Sequence, residues 1–511
     1  MENRKTAAKA HRPKTHPAPN HAVVVGGGIS ALVAAKELLA AGFNVSVYEA
    51  SGTWGGAVAS HEVAGVVLDS GAESFATRNT AVADLATELG MAEQIVLPDP
   101  AGASIWLPEG PIPLPRTGVL GIPADLNAPE VKAALSAAGV LRAALDAKMP
   151  VNVGTTEAVS SVADLVRARM GRRVLERLVA PVVAGVHSAD PEVLDVDMVA
   201  PGLRAGIREH GSLAAAVAAQ RAGGSKPGSA VAGLAGGMHT LVTALVAQLR
   251  AAGVQLHAGH RIKAVYRGDA AEAADSTKPH YDGGAPPRWI VDWEHGTERG
   301  FDGAAMLVVA TDGPTAVKLL GQEIPELAPF APAPGPDIRL VTLVVDVPEL
   351  DSAPRGTGVL VAPETPGITA KALTHATAKW PWLADSTGPG THVLRLSYGR
   401  AARNPADAVR LTPATFREED LIATAIADAS TLLGVQMSEA DLLGADVIRW
   451  TGTLPFAAVG HQAKVAQVQA LAGEQPGLML VGGWVSGNGL AAIVAGTRRI
   501  VRAAVDASAR L

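Results

Sequence analysis

Apolar residues in this chain are spaced by two alternating rules, and the switches between them mark the elements. His21 to Val25 is a short Val-rich run with the continuous apolarity of a buried strand. Three glycines follow without a spacer. Ala31, Ala34, Ala35 and Leu38 then fall at i, i+3, i+4 and i+7, one face of a helix that Gly42 is placed to end. Phe43, Val45 and Val47 next alternate with polar neighbours, and Glu49 closes this second strand. The pattern predicts a βαβ unit of about 30 residues. From Gly233 the chain offers a glycine turn, a helix with Leu241, Ala244, Leu245 and Leu249 on one face, and a strand pair. A hairpin around "RWIVDWEHGTERG" and a strand "AAMLVVAT" ending at Thr311 complete that stretch. From Leu478, "LMLVGGWVSGNGLAAIVAG" predicts one more strand and a closing helix.

The glycines between the first strand and helix carry chemistry. In the G-x-G-x-x-G/A fingerprint, Gly26 allows the tight turn, and Gly28 leaves room for a pyrophosphate at the helix N-terminus. Ala31 takes the third small position, with Gly27, Ile29 and Ser30 between. Glu49, beside Ala50 and 21 residues after Gly28, is placed to accept from ribose hydroxyls and to repel the 2′-phosphate of NADP. A dinucleotide site is therefore expected. Gly55-Gly56 and the turn Gly71-Ala72-Glu73-Ser74 resemble the extended motif of two-domain flavoprotein oxidases, which favours FAD over NAD. Those oxidases usually have Arg two residues before the glycine pair, where this chain has Thr53, and a simple turn is the alternative reading of the pair. "GNGLAA" also fits the fingerprint, but no strand with an acid follows it. It is expected instead to end the same nucleotide domain, with backbone amides of Gly487, Asn488, Gly489 and Leu490 toward the flavin. The backbone near Ile262 is expected at the adenine.

These elements predict an α/β chain: a discontinuous FAD-binding Rossmann-like domain with an inserted strand-rich substrate domain and a helical domain. The expected limits are a basic tail at 1–20, FAD-binding segments at 21–105, 226–319 and 446–511, substrate-domain segments at 106–124 and 320–445, and helices at 125–225. Pro- and Gly-rich stretches from Arg221, Gly268 and Ala328 read as joints.

Composition narrows the function. A chain of 511 residues, 48% hydrophobic and 18% charged, buries a large core over more than one domain. Its net charge of -6 gives no sign of a nucleic-acid partner. No run approaches the roughly 18 to 20 apolar residues of a membrane-spanning helix. A cytoplasmic protein without stable membrane insertion is expected. The absence of Cys excludes disulfides, thiol catalysis, iron–sulfur ligation and a flavin tethered through cysteine sulfur. His187, His239, His375 and His461 are scattered and read as structural, and no catalytic triad or metal cluster is expected.

The stretches "LDSGAESFATR" from Leu68, "GVHSADPEVL" from Gly185, "ALTHATAKWPW" from Ala372, "RLSYGR" from Arg395, "RWTGTLPFAAVGH" from Arg449 and "VGGWVSGNGLAAIVAG" from Val481 resemble the coproporphyrinogen III oxidases of the bacterial protoporphyrinogen oxidase family. The resemblance spans almost all of residues 22 to 505. It implies non-covalent FAD and oxidation of a porphyrinogen in three two-electron steps, with O2 as acceptor and hydrogen peroxide released. It also implies no obligatory catalytic side chain, because the cofactor carries the hard step. Ferrochelatase would act next. Trp450 falls where the family's FAD-contacting Trp lies, with an ordinary core aromatic as the alternative. Arg78 and Arg116 are the candidates for substrate propionates, with solvated surface charges as the alternative. Protoporphyrinogen IX is the alternative substrate. A flavin amine oxidase or a non-catalytic flavin protein are the alternative functions.

Overall fold

The computed structural model describes residues 20–116, 118–156, 159, 161–187, 189–224, 231–268, 287–332, 337–363, 365–399, 417–450 and 459–508. The expected tail at 1–19, parts of the three Pro/Gly-rich joints and the middle of "RWTGTLPFAAVGH" lie outside the described residues.

A five-stranded parallel sheet forms the first layer, in the order Gln255–His257, Asn44–Tyr48, His21–Val25, Met306–Val309 and Leu478–Leu480. The first strand of the chain lies at the centre, which is why it is apolar on both faces. Helix Ile29–Ala40 connects it to its neighbour and is buried along most of its length. Its Ala-rich sequence has a packing reason. Small side chains let helices His239–Ala251 and Leu490–Ser508 approach it over the same face of the sheet, in one apolar core. The other face is covered by the meander Arg261–Arg267, Trp289–His295 and Glu298–Ala304 and by helices Gly313–Leu320 and His461–Gly473. The last strand, Leu478–Leu480, pairs with Met306–Val309, so "GNGLAA" ends this sheet and opens no second one.

A second sheet has seven strands, in the order Leu442–Trp450, Ile338–Asp346, Thr391–Tyr398, Ala372–His375, Gly358–Val361, Ser104–Leu107 and Gly110–Pro113. Helix Glu418–Leu433 packs on its outer face. The sheet runs past the expected limits at 106 and 445, because strands Ser104–Leu107 and Leu442–Trp450 straddle them. Strand pairing, invisible in local pattern, sets the crossings.

Between the two sheets in sequence come helices including Pro129–Ala144, Val162–Arg169, Ala180–His187 and Leu203–His210, around their own core. At its centre Asp146 and Arg169, both buried, form an ion pair. Asp146 also accepts from the amides of Leu213 (3.1 Å) and Ala214 (2.9 Å), and Arg169 donates to the carbonyls of Pro150, Val153 and Gly211. With its remaining lone pairs and protons satisfied, the pair escapes the usual penalty for buried charge.

Candidate active site

The glycine-rich turn behaves differently at each of its three positions. Gly26 has φ +110°, and a Cβ there would lie 2.9 Å from the Ala310 carbonyl oxygen. At Gly27 a Cβ would meet the Glu49 side chain at 2.7 Å. At Gly28 the nearest protein atom to a Cβ is the Gly55 carbonyl oxygen, at 4.0 Å. So the first two glycines are required by the fold, and the third faces open space. Helix Ile29–Ala40 starts at Gly28 with no side-chain cap, which leaves the first-turn amides, including those of Ile29, Ser30 and Ala31, to an anion.

The second glycine pair docks on this turn backbone to backbone. The Gly55 amide donates to the Gly27 carbonyl at 2.8 Å, and a Cβ on Gly56 would lie 3.3 Å from the Gly28 Cα. The turn at Gly71 docks one step further along. The Ala72 amide donates to Ala57 O at 2.8 Å, and a Gly71 Cβ would meet that oxygen at 2.2 Å and the Trp450 ring at 3.2 Å. Trp450 in turn donates its indole N–H to Ser70 O at 3.0 Å. Two glycine turns and a tryptophan thus build one continuous backbone surface. Gly487 and Gly489, with φ +93° and +104°, come just before helix Leu490–Ser508, and a Cβ at either would find no atom within 4 Å. Backbone left bare at Gly28, Gly487 and Gly489 fits a dinucleotide.

At the other end, Glu49 accepts from the Gly27 and Ser51 amides, both at 2.6 Å. The chain 257–262 runs alongside: the Glu49 amide donates to His257 O, and His260 and Gly259 donate back to the carbonyls of Glu49 and Ser51. Ile262 follows two residues later, buried. Stacked rings cover this end, Tyr48 on His257 (4.7 Å) and His260 on His295 (4.3 Å).

Glu73 is placed by charge. Lys379 and Arg395 both pair with its carboxylate, Arg395 at 2.9 Å, and Arg395 spends a second N–H on Gly71 O at 2.8 Å. Burial alone would raise the Glu73 pKa, but the two cations outweigh it and hold it down at about 2. Neither cation was legible as a partner in sequence, since Glu73 lies more than 300 residues away.

Arg395 also tells which face of the seven-stranded sheet looks toward the turn. On that face Ile448, Leu340, Ser397, Ala372 and Leu360 are register neighbours across five strands. Each is half-buried, whereas Val341, Leu396, Leu373, Val359 and Val361, pointing the other way, are buried. The row is therefore less tightly covered than the opposite face. Four interstrand spacings make it about 19 Å wide. Ser397 is its single polar member. Helix Ala180–His187 closes over one end, where a Cβ on Gly185 would meet Leu360 at 2.5 Å.

The remaining candidates fall as follows. Arg78 is exposed, three residues after Phe75. Arg116 is exposed and donates to the carbonyls of Pro100 (2.9 Å) and Ala101 (3.1 Å), which makes it a loop staple rather than a free cation. His239 is held by Asp69 and His461 by the Trp484 carbonyl. The His187 side chain lies outside the described residues. Among the described residues no group of three His, Asp or Glu is placed to hold a metal, and no helix is long and apolar enough to cross a membrane.

The flavin-containing amine oxidoreductase family matches residues 29–499. The chain belongs to this family. A flavin cofactor follows from membership of this flavin-containing family. The coproporphyrinogen III oxidase of Mycobacterium tuberculosis is 28% identical over 96% of the chain and 98% of that relative. A putative protoporphyrinogen oxidase from Exiguobacterium superposes with TM-score 0.76 at 22% identity, covering 96% of this chain and 100% of that one. Cyclohexylamine oxidase from Brevibacterium oxydans superposes with TM-score 0.62 at 16% identity, covering 96% and 99%.

Proposed function

We propose that the protein oxidises coproporphyrinogen III to coproporphyrin III on non-covalently bound FAD, with O2 as terminal acceptor and one hydrogen peroxide formed per electron pair. The observation that carries this reading is the wide, nearly apolar row Ile448–Leu340–Ser397–Ala372–Leu360, which suits the flat face of a macrocycle. When bound, FAD supplies the two-electron acceptor. The side chains hold the ring against the sheet, keep water from the apolar floor and leave the carboxylates to the rim. No side chain needs to act as nucleophile. The product is a free porphyrin, ready for metal insertion by a ferrochelatase, and a cytoplasmic location fits a tetracarboxylate substrate.

The amine-oxidase reading finds less support. Tyr398, the tyrosine nearest the floor in sequence, is buried on the opposite face with its hydroxyl on Asp428 at 3.2 Å. It cannot join an aromatic cage over an amine.

The test is kcat/KM for coproporphyrinogen III and protoporphyrinogen IX under identical detergent and salt, because that ratio measures discrimination. A clear preference for the tetracarboxylate is expected. A preference for protoporphyrinogen IX would transfer the assignment to that substrate, and peroxide formed only with amines would end it. Arg78→Ala should lower kcat/KM for the tetracarboxylate about tenfold, the cost of one charge-assisted hydrogen bond. An unchanged value removes Arg78 from the site. Acid precipitation should release FAD intact into the supernatant, since the chain has 0 cysteines to tether it. Colour staying with the pellet would contradict non-covalent binding.

A further inference from the structure

Glu73 gathers more positive charge than it can cancel. Lys379 donates to its Oε1 and Arg395 to its Oε2, so two cations share one carboxylate and the cluster keeps one positive charge. Arg395 uses both terminal nitrogens on the protein, Nη1 on Glu73 and Nη2 on the Gly71 carbonyl. Lys379 does not. An ammonium carries three N–H groups, and among the described residues Glu73 is the one hydrogen-bond acceptor of Lys379 Nζ. Two donors remain for a ligand.

The lysine is fixed without being sealed. It ends the short helix Ala376–Lys379, and its carbonyl accepts from the Asp99 amide at 2.9 Å. The next residue, Trp380, is buried and packs so closely on Gly233 that a Cβ there would meet its ring at 2.7 Å. Nζ lies 5.1 Å from the centroid of that ring. Backbone, ring and Glu73 thus hold the side chain, yet 16% of the Lys379 side chain and 18% of that of Glu73 remain accessible. Burial is nonetheless the largest single influence on the Glu73 carboxyl. Groups that are both deep and accessible border a space inside the protein.

The cluster adjoins the apolar row. Arg395 and Ser397 are two residues apart on strand Thr391–Tyr398, on the same face and about 7 Å from each other along it. A flat ring lying on Leu340, Ser397 and Ala372 would reach the cluster with a short flexible arm. A fixed excess cation in a partly dry place favours an anion at the end of that arm. A porphyrinogen carries such arms, its propionates. Arg116, by contrast, is already used on loop carbonyls.

We infer that Lys379 Nζ receives one propionate carboxylate of the substrate, while Glu73 and Arg395 hold the ammonium and the Gly71 turn in position. The inference rests on the porphyrinogen reading above. The flavin-loaded protein is assayed with coproporphyrinogen III and with its tetramethyl ester, and binding of coproporphyrin III and of its ester is titrated by absorbance in the same detergent and salt. Lys379→Gln should lower kcat/KM for the acid about tenfold, chiefly through KM, and weaken binding of coproporphyrin III by a similar factor. Values for the esters should stay within about twofold, since an ester has no charge to lose. The variant should keep its flavin, because the Glu73–Arg395 pair still holds Gly71. Unchanged values for the acid, or an equal fall for acid and ester, would overturn the assignment and leave the oxidase reading standing. Flavin lost from Lys379→Gln would overturn it too, by giving the charge to the cofactor. Wild-type protein that oxidises no porphyrinogen would remove the reading itself, and this assignment with it.

Discussion

Gly28→Val should give a folded, colourless protein. Gly28 has φ -71° and ψ 174°, ordinary extended backbone in which a β-branched residue is at ease. No protein atom lies closer than 4.0 Å to its Cβ, so the fold accepts the side chain. The space that the valine methyls enter is the space in front of the first-turn amides of helix Ile29–Ala40, where the expected pyrophosphate would sit. A steric block there should cost the flavin a hundredfold or more in affinity, about 3 kcal/mol. Gly26→Ala provides the contrast. At φ +110°, with Ala310 O at 2.9 Å from the new methyl, that variant should fail in folding before cofactor loading is in question. The measurement is flavin absorbance per protein alongside circular dichroism. A Gly28→Val protein that keeps its full flavin complement would remove the pyrophosphate from this turn.

That contrast also shows what the sequence carries and what it hides. The βαβ unit was legible because each of its signals is local: the strand His21–Val25, the helix from Ile29 and the acid at Glu49 all fall within a single stretch of about 30 residues. Local pattern also identified Gly55-Gly56 and Gly71 as special, without saying why. Each is glycine because another backbone segment presses on it, Val58 O at 2.5 Å from a Cβ on Gly55 and Ala57 O at 2.2 Å from one on Gly71. The cations were harder. Arg78 and Arg116 drew attention by their place in sequence, yet Arg116 is spent on two loop carbonyls. Arg395 and Lys379, which reach Glu73 beside the Gly71 turn, sit in strand and helix patterns that look ordinary, and only the tertiary fold brings them there. The half-buried row on the inner face was invisible too, because Leu340, Ser397, Ala372 and Leu360 meet only through pairing.

Glu73→Gln should cost the protein about 3 kcal/mol at neutral pH, and the loss should vanish in acid. The wild-type carboxyl is held at about 2 against an ordinary 4.5, despite burial that pushes the other way. A depressed carboxylate pKa stabilises the fold above the unfolded value and loses that contribution as pH falls toward the folded one. The full difference between variant and wild type is therefore expected above about pH 5, falling to less than half by about pH 3. The neutral amide leaves Lys379 and Arg395 facing each other without a counter-charge, which is the case in which breaking a buried pair is expensive. Arg395 also holds Gly71 O, so the loosened cation should free the turn that Trp450 and Ala57 otherwise clamp, and flavin release should become easier in parallel. Urea midpoints of both proteins at pH 7 and pH 3, with flavin fluorescence followed in the same samples, measure both effects. If the variant matches wild type at pH 7, the three charges are a surface decoration; if its deficit is the same at both pH values, Glu73 acts through shape and the ion cluster does not set the stability of the flavin turn.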